Sequence, residues 1–378
     1  MEKQKNIPAL RFPEFDGEWE RKRLGEVVRS KSGKYDSKKD FQPYNCIELE
    51  HLSSESGELL GFSDSKKSES IKNKFNKGDV LFGKLRPYLK KYVQAPFDGV
   101  CSSEIWVLKG ENILNDFLYR VVQTDFFVEL TNQSTGSKMP RADWGVVSQG
   151  ILTFPDLLEQ QKIANFLSAI DKKLQALKKK KALLEQYKKG VMQKIFSQEL
   201  RFKDENGNDF ADWEVKKLGE ISIKKSSNIS AKKIENNFGE YVIYGASGVL
   251  KKVDFYEEEN DYISIVKDGA GVGRLLYCAG KSSVLGTMEI IKPKSEVIPY
   301  YLYCLLSNID FTKYITGSTI PHIYFKDYLH EICGIPTLSE QAKIANLLTT
   351  IDEKINQQQN QIEKVSHYKK GLLQQMFC

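Results

Sequence analysis

Residues 154–196 read FPDLLEQQKIANFLSAIDKKLQALKKKKALLEQYKKGVMQKIF, and residues 335–377 read IPTLSEQAKIANLLTTIDEKINQQQNQIEKVSHYKKGLLQQMF. The second stretch is a copy of the first at an offset of 181 residues, so that Glu159 corresponds to Glu340, and the two align without a gap. A repeat of this length indicates one structural unit that is present twice.

Each copy has the pattern of a long helix. A proline is followed by a capping residue and, three positions later, by a glutamate: Asp156 with Glu159, and Thr337 with Glu340. Such capping boxes satisfy the free amides of a first helical turn. Apolar residues then recur at alternating steps of three and four, which predicts a seam that packs against another helix. The predicted seam residues are Ile163, Leu167, Ile170 and Leu174 in the first copy and Ile344, Leu348, Ile351 and Ile355 in the second.

We expect the two helices to pair with each other in an antiparallel coiled coil. At about 1.5 Å per residue, some 40 residues would give a rod of roughly 60 Å. Polar residues interrupt the seam at Lys181 and Lys188 in the first helix and at Gln358 and Lys369 in the second. The alternative is two separate surface helices that pack on separate cores.

Glycine occurs at the same place in both predicted helices, in the motif YKKG. Tyr187 and Gly190 in the first copy correspond to Tyr368 and Gly371 in the second. Because a glycine inside a helix costs about 1 kcal/mol relative to alanine, its recurrence predicts a close approach by another backbone. That backbone would belong to the other helix or to a second protein.

The repeat extends beyond the helices. The segment TGSKMPRADW (135–144) matches TGSTIPHIYF (316–325), and LRF (10–12) recurs at 200–202. Trp19 and the Leu-Gly-Glu that follows it also have counterparts in the second half. The repeated unit is therefore one globular lobe followed by one long helix. The middles of the lobes, roughly 30–100 and 225–290, cannot be aligned by eye.

These patterns predict an α+β protein with two mixed lobes that are separated by two long antiparallel helices, with approximate two-fold symmetry and a circular organisation. Aliphatic and aromatic runs predict strands over 78–91, 100–110, 241–245, 261–266 and 274–280, and helices over 115–133 and 299–308. The predicted domains are a first lobe at 1–153, a central helical repeat at 154–197, a second lobe at 198–334 and a C-terminal helical repeat at 335–378.

Composition narrows the class of protein. The chain has 378 residues, of which 40% are hydrophobic, and contains no run of 18 apolar residues, so we expect a cytoplasmic protein without a membrane span. Six scattered cysteines predict neither a metal site nor a disulfide framework. The net charge of +6 is concentrated in residues 157–197, and it does not by itself indicate DNA binding.

No motif for catalysis is present in the sequence. The run Gly-Ala-Gly-Val-Gly at 269–273 lacks the glycine spacing of a dinucleotide site, and we interpret it as a tight loop that begins at Asp268. The four histidines are far apart, and no nucleophile elbow or phosphate-binding lysine motif occurs. We therefore predict no catalytic residue, no metal ligand and no bound cofactor.

Basic and polar residues in two kinds of segment are candidates for nucleic-acid contact. The run FGKLRPYLKK combines cations with an aromatic ring, and the two TGSxxP loops offer hydrogen-bond donors. A solvated strand and turn, or loops that pin a lobe to the helices, would carry the same residues. The candidates are Lys84, Arg86, Tyr88, Lys90, Lys91, Ser137, Lys138 and Arg141 in the first lobe, and Lys267, Arg274, Ser318, Thr319 and His322 in the second.

The chain resembles the DNA-specificity subunits of type I restriction-modification systems. The resemblance covers nearly the whole length, in the order lobe, helix, lobe, helix, and it includes GDVLFGKLRPYLKK, both TGSxxP loops and both (L/S)EQxKIA helix starts. It implies that each lobe is a target-recognition domain that reads one half of a bipartite site in double-stranded DNA. The second lobe departs from the first, since it is net acidic and has His322 where the first has Arg141.

The resemblance also implies partners. The helical repeats would set the spacing of the half-sites and dock two methyltransferase subunits, which bring S-adenosylmethionine and methylate adenine. Restriction subunits that use ATP and Mg²⁺ would join this core, and the chain itself would not be an enzyme.

Two other classes of protein remain as alternatives. A coiled-coil adaptor would explain the helices but not the two lobes with matching edges and different middles. An autonomous DNA methyltransferase or nuclease would need a cofactor loop and a catalytic motif, which the sequence does not contain.

Overall fold

The computed structural model describes residues 7–67, 69–133 and 139–377. It divides into two compact units. The first unit comprises the chain up to Lys178 together with the segment from Asn360 onward, and the second unit is Lys179–Gln359. Each unit therefore contains one lobe and one end of each long helix.

The first lobe is a mixture of short strands and helices that ends in a long helix. Its strands are β1 Glu20–Arg23, β2 Val28–Arg29, β3 Lys34–Tyr35, β4 Asn45–Ile47, β5 Ser63–Asp64, β6 Lys72–Phe75, β7 Val80–Gly83, β8 Tyr92–Gln94, β9 Gly99–Cys101, β10 Ile105–Gly110 and β11 Ile151–Phe154. Its helices are α1 Leu24–Val27, α2 Asn115–Val121, α3 Asp125–Asn132, α4 Trp144–Val147 and the long α5 Leu157–Phe196.

The second lobe has the same order at its two edges. Its strands are β12 Glu214–Lys217, β13 Ser222–Ser226, β14 Tyr241–Gly245, β15 Gly248–Val253, β16 Tyr262–Val266, β17 Leu275–Cys278, β18 Ser282–Val284, β19 Met288–Pro293 and β20 Ile332–Ile335. Its helices are α6 Leu218–Ile221, α7 Ala231–Ile234, α8 Pro299–Ser307, α9 Phe325–Tyr328 and the long α10 Leu338–Gln375. The predicted α+β class is thus confirmed.

One antiparallel four-stranded sheet is common to both lobes. Its strand order is β2-β10-β7-β8 in the first lobe and β13-β19-β16-β17 in the second. The registers agree as well, since Ile105 pairs with Gly83 and Met288 pairs with Val266. The offset between these partners is 183 residues rather than 181. Our interpretation that the middles cannot be matched is therefore wrong for β7 and β8 and for β16 and β17, which lie within those middles and whose match the change of offset concealed.

The other large sheet differs between the lobes. It has five strands in the first lobe, in the order β3-β6-β9-β4-β5, and three in the second, in the order β15-β14-β18. Both versions contain one parallel pair, β4 with β9 and β14 with β18. An antiparallel strand flanks this pair at one edge in both lobes, β5 beside β4 and β15 beside β14, and the first lobe has β6 and β3 in addition on the other side of β9.

A buried glutamate lies in the first turn of each long helix. Asp156 caps α5 as predicted, because its carboxylate accepts the amides of Leu158 and Glu159 at 2.9 Å. Glu159 does not complete a capping box. Its carboxylate, 1% exposed, instead accepts hydrogen bonds from Arg11 at 2.7 and 2.8 Å and from the Trp19 indole at 3.2 Å.

The second helix repeats this arrangement, which we call the glutamate clasp. Glu340 is fully buried and accepts from Arg201 at 2.8 and 3.2 Å and from the Trp213 indole at 3.0 Å. In each unit the arginine belongs to the LRF motif and the tryptophan to the edge of the lobe. The clasp explains why these residues recur together, since a buried carboxylate requires its full set of donors.

The residue after this glutamate is a glutamine in both helices, and its side-chain amide forms hydrogen bonds with backbone groups of the lobe. Gln160 accepts the amide of Leu114 at 2.9 Å and donates to the carbonyl of Pro155. Gln341 in the second unit likewise accepts the amide of Ile298 at 2.9 Å and donates to Pro336. The Glu-Gln pair thus joins each helix start to two separate parts of its lobe.

The helices pair antiparallel in each unit, as predicted. In the first unit, Ile163, Leu167 and Ile170 of α5 share one core with Leu372 and Met376 of α10. The amide of Leu10 also donates to the carbonyl of Gln375 at 2.8 Å, so the start of the first lobe lies beside the end of α10.

In the second unit, the other ends of the same helices meet. Val191 and Ile195 of α5 share a core with Ile344, Leu348 and Ile351 of α10. The amide of Leu200 donates to the carbonyl of Lys194. This bond corresponds to the one between Leu10 and Gln375, so both lobes follow a helix end in the same way.

We predict that Glu159→Ala destabilises the first unit by about 3 kcal/mol, because it leaves the Arg11 guanidinium and the Trp19 indole without their acceptor. Denaturant unfolding measures this loss, and hydrogen exchange of residues 10–19 should rise. Glu14→Ala is the matched control, since Glu14 forms an exposed ion pair with Lys162 and its loss should leave both measurements unchanged. Equal behaviour of the two variants would contradict the clasp.

Candidate nucleic-acid interface

In the first lobe, the loop that follows β7 is joined by backbone hydrogen bonds to residues 140–142, at the end of the TGSxxP segment of the same lobe. The amide of Arg86 donates to the carbonyl of Pro140 at 2.7 Å, and that of Ala142 donates to Lys84 at 2.8 Å. This loop joint brings together Lys84, Arg86 and Arg141, which the sequence places on separate segments.

The second lobe contains the same loop joint. The amide of Gly269 donates to the carbonyl of Pro321, and that of Ile323 donates to Lys267, both at 2.9 Å. Asp268 and His322 are paired through their backbones in an isolated antiparallel β-bridge between the two segments. The structure therefore places Lys84, Arg86 and Arg141 of the first lobe and Lys267 and His322 of the second at equivalent joints, at the same end of the common four-stranded sheet.

The two joints have different backbone conformations. The run FGKLRPYLKK is a strand only as far as Gly83, so the prediction of a strand over 78–91 is wrong for the rest. Arg86 and Lys90 are left-handed, with φ of 51° and 48°, on either side of a 3₁₀ turn. These conformations turn the chain sharply at both ends of the 3₁₀ turn.

In the second lobe the joint is the predicted tight glycine loop. Gly269, Gly271 and Gly273 have φ of 84°, 92° and 83°, which side chains with a Cβ rarely adopt. The spacing of the glycines follows from this alternation of left-handed residues. The loop connects β16 to β17 and precedes no helix, so it lacks the geometry of a phosphate-binding turn.

The candidate cations of the first lobe differ in whether their side chains already have hydrogen-bond or ion-pair partners. Lys84 is half-buried and Arg86 exposed, and neither has a side-chain partner within the described ranges. Arg141 forms an ion pair with Glu104 at 3.0 Å, and Lys90 lies 3.8 Å from Asp125. Two further candidates are Tyr88, whose ring is exposed, and Lys91, which donates to the Leu49 carbonyl at 2.7 Å. Ser137 and Lys138 lie outside the described residues.

The second lobe presents fewer cations at its joint. Lys267 has no side-chain partner in the described part of the chain, and Arg274 donates to the carbonyl of Ala246 at 3.0 Å. The ring of His322 lies 5.0 Å from that of Tyr324. Two further candidates, Ser318 and Thr319, are exposed at the tip of the neighbouring loop.

Ion pairs cross the helix seam at equivalent places in the two units. Lys369 of α10 lies 2.8 Å from Asp171 of α5 in the first unit, and Lys188 of α5 lies 2.6 Å from Asp352 of α10 in the second. Lys188 and Lys369 are predicted interruptions of the seam. The sequence shows the lysines, but their aspartate partners are apparent only from the structure.

The surroundings of the two pairs are not the same. Asp171 also binds the buried guanidinium of Arg120, so two cations share one carboxylate. Burial lowers the pKa of Lys369 below its ordinary value, and Asp171 opposes this shift. Asp352 has Lys188 and the Tyr300 hydroxyl as its partners, and burial together with the bond to Asp352 raises the pKa of Tyr300.

The helix glycines do not approach the other helix. A Cβ added to Gly190 or Gly371 would meet nothing within 4 Å in the described structure. The prediction of a close approach by the other helix is therefore wrong, while contact with a second protein stays a prediction. Tyr187 and Tyr368, one turn away, are more than half exposed, so these faces point to solvent.

Other chemistry is not assembled in the described residues. Within them, no cluster of histidine, cysteine or acidic side chains could hold a metal ion, and no helix is long and apolar enough to span a bilayer. Burial raises the pKa of Cys46 and Cys278 to about 11 and that of Cys304 and Cys333 to about 12. These thiols are thus protonated at neutral pH.

We predict that Lys188→Met destabilises the protein more than the equivalent Lys369→Met. The first change leaves Asp352 with only a tyrosine hydroxyl, whereas the second leaves Asp171 paired with Arg120. Because Asp352 is partly exposed, the difference in unfolding free energy should be roughly 1–2 kcal/mol. Denaturant unfolding of the two variants measures it, and a larger loss for Lys369→Met would contradict the assignment.

A pH dependence should accompany Lys369. Since its folded-state pKa lies below 10.5, the unfolded state binds more protons between the two pKa values. The stability of the wild type relative to Lys369→Met should therefore increase as the pH rises through that alkaline window. A flat difference over the window would show that Lys369 is not desolvated.

The comparisons with known proteins agree with this architecture. The family model described as "Type I restriction modification DNA specificity domain" matches residues 16–186 and 211–365. The MjaVIII type I restriction enzyme specificity subunit of Methanocaldococcus jannaschii is 25% identical over 98% of this chain and 93% of its own length. A crystal structure of a type I restriction-modification S subunit from M. genitalium has a TM-score of 0.65 at 17% identity, over 98% of this chain and 99% of that one.

A second structure, from work on complex assembly of a type I R-M system, has a TM-score of 0.57 at 18% identity over 94% of this chain and 96% of that one. At such identities the two structures support the fold. The family model matches two segments that together make up most of the chain, and this shows the family. The protein belongs to the family of type I restriction-modification DNA specificity subunits.

Proposed function

We propose that each lobe binds one half of a bipartite, asymmetric target in double-stranded DNA. The observation that carries this proposal is the loop joint, which both lobes build with equivalent backbone hydrogen bonds beside sheets that differ. A common joint suits contact with the phosphate backbone, which is the same in every sequence. Different neighbouring sheets suit two different half-sites, so that the target is asymmetric.

The joint of the first lobe has the charge for phosphate contact. Lys84 and Arg86 have no carboxylate partner in the described structure, so their charges are available to a polyanion. Lys91 is committed to a backbone carbonyl and contributes less. The second lobe would depend on Lys267, Arg274 and the exposed amides and hydroxyls of its loops.

The chemistry of the complex would reside in other subunits. Two methyltransferase subunits would hold S-adenosylmethionine and methylate adenine, and restriction subunits would use ATP and Mg²⁺, in the cytoplasm where the DNA lies. The family membership supports this division, and the residues of the two joints are suited to binding rather than to proton or group transfer. This chain would select the sequence on which its partners act.

The solvent faces of the long helices offer a place for those partners. Tyr187 with Gly190 and Tyr368 with Gly371 form two equivalent exposed faces, one on each helix. A helix glycine that no internal contact requires is explained if a partner's backbone approaches it closely. Two equivalent faces would suit two copies of one subunit.

We predict that Lys84→Ala with Arg86→Ala weakens DNA binding irrespective of sequence and lowers the slope of log affinity against log salt by about 1.8, which is about 0.9 for each lost phosphate contact. Lys22→Ala with Lys162→Ala is the matched control, since both lysines already pair with acidic side chains. Titration of the complex into labelled duplex at several salt concentrations measures the slopes. An unaltered slope in the first variant would place this joint away from DNA.

The function itself is tested by mapping methylated adenines in cells with and without this chain. We expect a split motif that disappears when the chain is absent. Replacing residues 20–150 with the lobe of a relative should change one half of the motif and leave the other half and the gap intact. A methylome that does not depend on the chain would favour the coiled-coil adaptor, and a swap that alters both halves would contradict separate reading.

A further inference from the structure

The hairpin of β14 and β15 is the element of the second lobe that best fits base recognition. The two strands are joined by the two-residue turn Ala246-Ser247, with Gly245 paired to Gly248. β14 pairs on its other side with β18, so β15 is a free edge of its sheet. In the first lobe the equivalent position beside β4 is taken by β5, which follows β4 after a long connection instead of a two-residue turn.

The tip of the hairpin adjoins the loop joint. Arg274, at the end of the glycine loop, donates to the carbonyl of Ala246 at 3.0 Å. The glycine loop in turn is bonded to the segment around Pro321. The hairpin tip is thus continuous with the surface that the proposed function assigns to the phosphate backbone.

The edge strand carries apolar side chains that its own fold does not bury. Val249 is 64% exposed and Leu250 is 50% exposed. The register shifts at this point, because Tyr244 pairs with Val249 while Ile243 pairs with Lys251, so Leu250 is an extra residue in a bulge. Bulges of this kind redirect side chains and occur next to functional sites.

Cations flank these apolar side chains without covering them. Lys252, which follows on the same strand, is exposed and has no side-chain partner among the described residues. Lys251 is held differently, since its ammonium group donates to the Ile234 carbonyl at 2.7 Å and lies over the Phe238 ring. Along the strand, the exposed Val249 and Leu250 therefore lie between the hairpin tip, which the Arg274 guanidinium contacts, and Lys252.

We propose that this hairpin enters the major groove of the half-site read by the second lobe, where Val249 and Leu250 contact thymine methyl groups. A two-stranded ribbon fits the major groove, and the thymine methyl is the apolar group displayed there. The flanking cations would bind the phosphates on either side. The inference rests on the proposed function, and it assigns to one hairpin the reading of bases that the function requires.

The test uses the full chain in complex with its methyltransferase subunits. Val249→Ser with Leu250→Ser should reduce methylation of native sites at least tenfold, or broaden the half-motif of the second lobe, with the other half unchanged. Ile223→Ser is the matched control, because Ile223 is 53% exposed on β13 of the same lobe. An unchanged motif in the double variant would overturn the inference.

A second measurement addresses the chemistry of the contact. Replacing thymine by uracil in the half-site removes the methyl group, and it should weaken wild-type binding about 4-fold for each contacted methyl. The double variant should be insensitive to this replacement. Equal loss in both proteins, or a half-site without thymine in either strand, would overturn the contact.

The remaining outcomes are also decisive. If the double variant methylates no site, retained binding to duplex without the motif supports the inference, and loss of that binding as well overturns it. A methylome that is indifferent to the whole chain would refute the proposed function. A methylome that depends on the chain but not on the hairpin would refute this inference alone.

Discussion

A buried carboxylate at the start of each long helix is the constraint on which each unit depends. An ionised glutamate inside a protein is tolerated only when donors surround it. Arg11 and Trp19 supply them to Glu159, and the adjacent Gln160 uses both ends of its amide on the lobe. The first turn of α5 thereby holds three parts of the lobe in place: the segment around Arg11, the lobe edge at Trp19 and the start of α2 at Leu114. This explains why short motifs that lie far apart in the sequence recur as a set in both halves.

The seam between the helices needs a second device, because apolar contacts alone tolerate slippage along a heptad repeat. A charged residue in a seam penalises every register that leaves it unpaired. The lysine–aspartate pairs do this in each unit, with equivalent partners at 171 and 369 and at 188 and 352. Their surroundings differ because Arg120 joins one pair and Tyr300 the other. Equivalent ion pairs thus fix the register of the helices in both units, while the residues around each pair come from the lobe of that unit.

The architecture could be predicted from the sequence because it follows from repeats and periodicity. Local patterns predict the bounds of both helices. Comparison of the two copies predicts their antiparallel pairing and the equivalent loop segments. The common sheet was missed because its strands are short and because their offset is 183 residues for three strands and 194 for β2 and β13, so that no single offset aligns both the sheet and the helices.

Individual side chains were harder to predict, for physical reasons. The role of Glu159 was misassigned because a capping box and a buried clasp share the same spacing. For Gly190 the sequence leaves contact with the other helix and contact with a second protein both open, because it shows that a glycine recurs but not which face it lies on. Arg86 and Arg141 were identified as separate candidates, and only tertiary pairing of their backbones shows that they share one surface.

The loop joint also explains how the side chains of the two lobes can differ while the loops keep the same backbone arrangement. Its hydrogen bonds join backbone groups only, so the side chains at these positions are not needed to hold the loops together. The first lobe can therefore carry Lys84 and Arg86 where the second carries Lys267 and Gly269. In the second lobe glycines with positive φ form the loop, and the tip of the β14–β15 hairpin lies beside it. Because the backbone holds the joint together, its side chains are free to differ between the lobes, as the proposed recognition of two unlike half-sites would require.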